Sequence, residues 1–157
     1  MVPNAAQTCR EHLRFMQWAD LRMIQAVAEN TPAEIAVLRH IYHAEEVWCR
    51  RVHGERDIQI TDLTPIDSLA ELQRLWPEMH RRWLAWADAL EDFDQLIPHR
   101  NLKGEEFNMP AWQIVLHLVN HGSFHRGQVA ASLRAAGIAP PPTDLIIYYR
   151  TEYHRPV

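Results

Sequence analysis

Three histidines, His117, His121 and His125, recur at four-residue intervals along a stretch whose apolar residues follow helical spacing. Each step of four on an α-helix turns the side chain by only about 40° around the axis and carries it about 6 Å along it, so the imidazoles form one ridge. With ten histidines in 157 residues, composition alone yields about 0.6 pairs at this spacing and about 0.04 runs of three. Neutral imidazole is a favoured ligand for zinc, nickel, copper and iron, and two rings one turn apart can converge on one ion. Such a pair needs a further donor from a facing helix, because bundle metal sites are built from inward-pointing side chains. The competing reading is of hydrogen-bonded boundary residues with no ligand.

The facing donor is sought on the segment that carries His40 and His43. On a helical wheel the apolar residues Val37, Leu38, Ile41, Ala44, Trp48 and Val52 share one direction, with His40 about 90° from it and His43 about 150°. His40 flanks the core and His43 is expected in solvent. The wheel centred on Val115, Leu118, Val119, Val129 and Leu133 puts His125 about 60° from the core direction, His121 about 100° and His117 about 140°. His40, His121 and His125 are therefore the candidate metal ligands, and His117 stands next to them as a supporting group. His12, His53, His80, His99 and His154 are expected at the surface.

Two charges interrupt the apolar stripes: Glu45 lies about 50° from the core direction of its helix and Arg126 about 40° from that of its own. Unpaired buried charge is costly, so the two are expected to pair across the helices that supply the histidines. Glu45 is also a candidate proton carrier or supporting group near the metal, and Arg126 a candidate supporting group beside it.

The elements that position these residues are helices. A first helix is read from about Asn4 to Glu29. The second begins at Thr31-Pro32-Ala33-Glu34, a capping hydroxyl followed by proline and a glutamate able to complete a capping box, and ends at Gly54. A third follows Asp67/Ser68 and reaches about Asp92, with Pro77 expected to kink it or split off its first part. Gln95 to Met109 reads as a loop or small hairpin containing Gly104. The last long helix runs from about Pro110 to Ala136 and stops at Gly137, ahead of Pro140 to Pro142. The apolar tail Asp144 to Tyr149 is expected to pack back on the helices. The class is all-α.

At 157 residues, 47% of them hydrophobic and 23% charged, the chain suits one folded domain spanning residues 1–157. No apolar run of about 18 residues is present, and Met1 to Arg14 lacks the pattern of a secretory signal, so a cytoplasmic protein without membrane contact is expected. The formal net charge is −4 and the basic residues are scattered in pairs such as Arg50/Arg51 and Arg81/Arg82, which argues against a nucleic-acid partner. Cys9 and Cys49 have no metal-ligand spacing and read as buried small hydrophobes. Trp83, Trp86 and Trp112 read as core, or as lining of a pocket or dimer face.

The chain resembles the DinB/YfiT-like superfamily. His40-Ile41-Tyr42-His43-Ala44-Glu45-Glu46-Val47-Trp48 resembles the family's His-led segment ending in Ala-Glu and Trp, and His117 to Gln128 resembles its HxxNHxxxHRGQ signature. Arg100 to Glu105 and Gly137 to Leu145 also resemble the family pattern. The resemblance implies an up-down-down-up four-helix bundle, commonly a homodimer, with a divalent ion on the histidines matching His40, His121 and His125. Phe124 departs from it, since the family often has a further histidine there.

Three neutral histidines leave coordination positions for water or substrate, as in catalytic rather than closed structural sites. Zinc or nickel is the first expectation, with iron, manganese or copper as alternatives. Some relatives resemble transferases that join small thiols to electrophiles, which implies a thiol cosubstrate here, as neither cysteine is placed to serve. The rival readings are a non-catalytic or stress-related metal-binding bundle and a metal-dependent hydrolase.

Overall fold

Helical periodicity becomes four long helices in the computed structural model, which describes residues 4–30 and 35–153. They are α1 (Ala5–Asn30), α2 (Ile35–Val52), α3 (Leu69–Ala89) and α4 (Ala111–Ala135). An antiparallel hairpin of β1 (Leu96–Arg100) and β2 (Glu106–Pro110) precedes α4, with Leu96 opposite Pro110 and Arg100 opposite Glu106. A short helix α5 (Leu145–Tyr148) follows α4 and leads into a π-helical turn at Tyr149–Tyr153. The described residues are thus mostly helical, with one small sheet where the sequence reads as a loop or hairpin.

Helix ends fall where local chemistry puts them. Ser68 caps α3, its hydroxyl accepting from the Glu71 amide while the Glu71 carboxylate returns to the Ser68 amide. Gly137 has φ +76°, and the amide of Ile138 beyond it donates to the Leu133 carbonyl, so the left-handed residue turns the chain off α4. The proposed cap of α2 at Thr31 to Glu34 lies outside the described residues.

Pro77 does not split α3. The helix runs unbroken from Leu69 to Ala89. An interior proline costs about 3 kcal/mol, yet Trp76 and Trp83 on either side of it are fully buried, and each such burial is worth about 2–3 kcal/mol. Tertiary packing therefore outweighs the lost backbone bond.

α1 and α2 each pack against both α3 and α4. The shared core includes Leu13, Met16, Leu38, Trp76, Trp83 and Ile114. Trp86 and Trp112 pack against that core, and Cys9 and Cys49 are buried free thiols. The tail does return to the helices: Tyr148 is buried against Phe15 and Trp18 and donates its hydroxyl to Glu11. No helix among the described residues is long and apolar enough to cross a membrane.

The connection 53–68 is strapped onto α2. Buried Glu46 accepts from the Thr64 amide and hydroxyl, Arg50 donates to the Asp62 carbonyl, and Arg39 donates to the Ile66 carbonyl. Two expected surface histidines prove buried. His80 follows Trp76 by one turn on the core side of α3, and His99 alternates with Ile97 on the covered face of β1. Both faces are set by partners distant in sequence.

Candidate metal centre

α2 supplies His40 and α4 supplies His121 and His125, and the packing of these two helices brings the rings together. One ligand nitrogen from each lies within 4.8 Å of the others. His121 Nε2 is 3.1 Å from His40 Nε2, while the His40 and His125 ring centres are 4.5 Å apart and those of His121 and His125 4.4 Å. His117 continues the ridge, 5.7 Å from His121 ring to ring and 5.6 Å from Trp48, and does not join the group. His43 is half-buried rather than solvated, since the strapped connection presents the Thr64 carbonyl 2.9 Å from its Nε2.

The electrostatics favour neutral rings. Burial lowers His121 to about 4, and His125, His40 and His117 push in the same direction. His40 is lowered by burial first and by His125 and His43 next. At neutral pH these imidazoles offer lone pairs, as a metal requires. His125 donates Nδ1–H to Gln128 Oε1 at 2.9 Å, an orienting bond that leaves Nε2 as its lone-pair nitrogen. Nitrogens about 2.0–2.1 Å from a tetrahedral ion sit about 3.3 Å apart, close to the separation of His40 and His121. The donor set fits a first-row divalent ion with coordination positions left over.

Glu45 and Arg126 do not pair with each other. Arg126 Nη1 donates instead to Asp20 Oδ1 at 2.6 Å, a partner on α1. Glu45 Oε2 accepts from the Trp76 indole at 2.8 Å, and His80 Nε2 lies 3.3 Å from Asp20 Oδ2 and 3.6 Å from Glu45 Oε2. Gly122 makes room for this arrangement, because a Cβ there would stand 2.7 Å from Arg126 Nη1. Burial pushes the Asp20 carboxyl up, but Arg126 and then His80 outweigh it and the net shift is downward. Burial and the Asp20 charge hold Glu45 well above the usual carboxyl range. Five positions separate Glu45 from His40, a rotation of about 140°, and the structure places Glu45 and Arg126 in this buried cluster rather than beside the triad. Asp20 is absent from the sequence reading. Its position between Met16 and Met23 on the apolar face of α1 was the available signal.

The family model described as DinB family matches residues 4–155, nearly the whole chain. The chain belongs to the DinB family. Protein DinB of Bacillus subtilis (strain 168) is 25% identical to it over 131 residues, which cover 79% of this chain and 76% of that relative. In this DinB-family chain the departure at Phe124 places an exposed phenyl ring 5.1 Å from His125, where the family resemblance led one to look for another imidazole.

Proposed function

We propose that this DinB-family protein is a divalent-metal-dependent transferase that joins a low-molecular-weight thiol to an electrophilic small molecule. The observation that carries this reading is the group of three imidazoles on one accessible edge of the helices, with ligand nitrogens within 4.8 Å of one another. His40, His121 and His125 hold the ion, with zinc or nickel first and iron, manganese or copper as alternatives. The helices run up-down-down-up: residues 53–68 reach about 50 Å when extended, ample to return along the roughly 27 Å of α2. The working form is a homodimer in the cytoplasm. A monomeric mass by sedimentation would remove the dimer from this reading.

A bound divalent ion supplies the charge that lowers the thiol pKa. The chain does the rest: α2 and α4 fix the three donors, Gln128 sets the His125 ring, and the exposed edge at His40 lets the thiol proton pass to solvent. The sulfur then forms a bond to the electrophilic carbon as the leaving group departs with the electrons of the bond it breaks. Hydrolysis by a metal-activated water is the second reading, and the buried carboxyl groups of Asp20 and Glu45, committed to Arg126 and Trp76, are not placed to assist it.

The test is elemental analysis of the protein beside His125→Ala, followed by an assay of metal-loaded protein with small thiols and a chromogenic electrophile. Metal in the parent and its loss in the variant, with metal-dependent thiol consumption, is expected. Equal metal in both refutes the site. Metal that raises the melting temperature without any thiol consumption favours a non-catalytic bundle.

A further inference from the structure

A groove of about 350 Å³ runs along α2 from His40 to Arg51. Its floor is one helical stripe, His40, Ala44, Val47/Trp48 and Arg51, and its far wall comes from the strapped connection and the hairpin turn, through Ile58, Leu63 and Leu102. No aspartate or glutamate lines it.

Arg51 is the anomaly. The residue is 8% exposed, its Nη2 donates to the Arg100 carbonyl at 2.7 Å, and its guanidinium carbon lies 4.6 Å from the Trp48 ring centre. Its Nε is shielded from water and donates to nothing. Among the described residues no carboxylate pairs with it, whereas Arg50 has Glu55, Arg100 has Asp57 and Glu106, and the still more buried Arg126 has Asp20. A buried cation without a counter-ion costs several kcal/mol, and an anion brought by a ligand offsets that cost. Guanidinium matches carboxylate geometry, and apolar walls with one charged anchor are the usual make-up of a small-molecule site of this size.

We propose that Arg51 anchors the carboxylate of an apolar small molecule lying in this groove, with the opposite end of the molecule directed at the three histidines. The second half of that statement rests on the metal-site reading above; the first half stands alone. Arg51 lies eleven positions beyond His40, about 16 Å along the helix, which sets the reach of the ligand. Its chemistry is a monoanion with a medium-length hydrophobic body.

Octanoate is the probe, titrated into the full-length protein with and without a chelator while tryptophan fluorescence or heat is followed. Saturable binding is expected in both conditions, with octanol at least about tenfold weaker and Arg51→Gln weaker by about 10- to 100-fold, the range for a charge-assisted hydrogen bond. Because Arg51→Gln also alters packing against Trp48, Leu102→Glu serves as a second variant. Leu102 is 60% exposed, so a negative charge there should leave the fold intact and weaken octanoate severalfold more than octanol, which loses only apolar contact. Equal octanoate affinity in the parent and both variants, octanol binding as tightly as octanoate, or binding that vanishes with chelator overturns the anchor. Octanoate binding that persists with chelator and is weakened by Arg51→Gln, whatever the metal content of the protein, tells loss of the metal reading and loss of this one apart.

Discussion

Two polar clusters sit between the same helices and differ in almost every physical respect. His40, His121 and His125 lie at an accessible edge and carry no counter-charge among themselves, and His40 and His121 are pushed toward neutrality by burial and by neighbouring imidazoles. Asp20, Glu45, His80 and Arg126 are sealed in the core, and their charges are matched within the cluster. Asp20, Glu45 and His80 also approach closely enough to surround an ion, but Arg126 and the Trp76 indole already donate to the two carboxylates. A cation there would face a fixed positive charge in a medium of low polarisability. Proximity of donor atoms is thus insufficient. What separates a ligand site from a structural network here is whether a fixed cation already stands at the donor atoms.

The largest effect should come from breaking the sealed cluster. Asp20→Ala leaves Arg126 buried without its counter-ion, which costs about 3–5 kcal/mol. Urea unfolding of metal-free protein measures this, and the metal content of whatever remains folded should match the parent. A loss below about 1 kcal/mol would mean that Arg126 finds solvent or another acceptor, and the contrast between the clusters would collapse.

What could be read in advance follows the same division. The triad was legible because two helical periods carry it: His121 and His125 repeat at one turn, and His40 flanks an apolar stripe. The helix ends at Gly54 and Gly137 and the hairpin around Gly104 were legible for the equally local reason that glycine turns the chain there, each at positive φ. The sealed cluster was half legible. Glu45 and Arg126 stand out as charges on apolar faces, but their partners Trp76 and Asp20 come from α3 and α1, and no single wheel reveals which helix faces which. His80, His99 and Arg51 were misplaced at the surface or passed over among scattered basic residues, because their burial comes from residues distant in sequence: Asp20 and Glu45 beside His80, Trp48 beside His99, and the hairpin carbonyl of Arg100 at Arg51.

A smaller and more discriminating effect lies in the pH dependence of stability. Glu45 is held above its ordinary range in the fold, so folding takes up a proton once the unfolded carboxyl, with its value of 4.5, has ionised. Stability therefore declines as pH rises from there toward the folded value, by at most about 1.4 kcal/mol per pH unit. His121 acts in the opposite sense: lowered from 6.5 to about 4, it binds a proton more readily unfolded, so stability rises with pH between those values and is constant above them. Denaturation of metal-free parent and of Glu45→Gln, a neutral side chain that still accepts from Trp76, at each pH from 4.5 upward isolates the carboxyl as the difference between the two curves. The parent should lose stability relative to the variant as pH rises. A difference that does not change with pH refutes a raised Glu45.

The smallest expected effect is the stability cost of removing a ligand. His125 is only half-buried, and its one polar bond is to exposed Gln128 one turn away. Its replacement by alanine in metal-free protein should stay within about 0.5 kcal/mol of the parent, as for surface substitutions away from packed features. The comparison requires this near-equality, because a group kept for a ligand contributes little to the fold in the ligand's absence. One secondary shift should accompany it. His125 helps lower His121, so in His125→Ala the His121 value moves back toward 6.5 and the fall in stability on acidification below that pH becomes shallower. NMR titration of the His121 ring reads this directly. A His121 that titrates identically in parent and variant would show that the two rings do not share one electrostatic environment, and so would count against a single centre built from both.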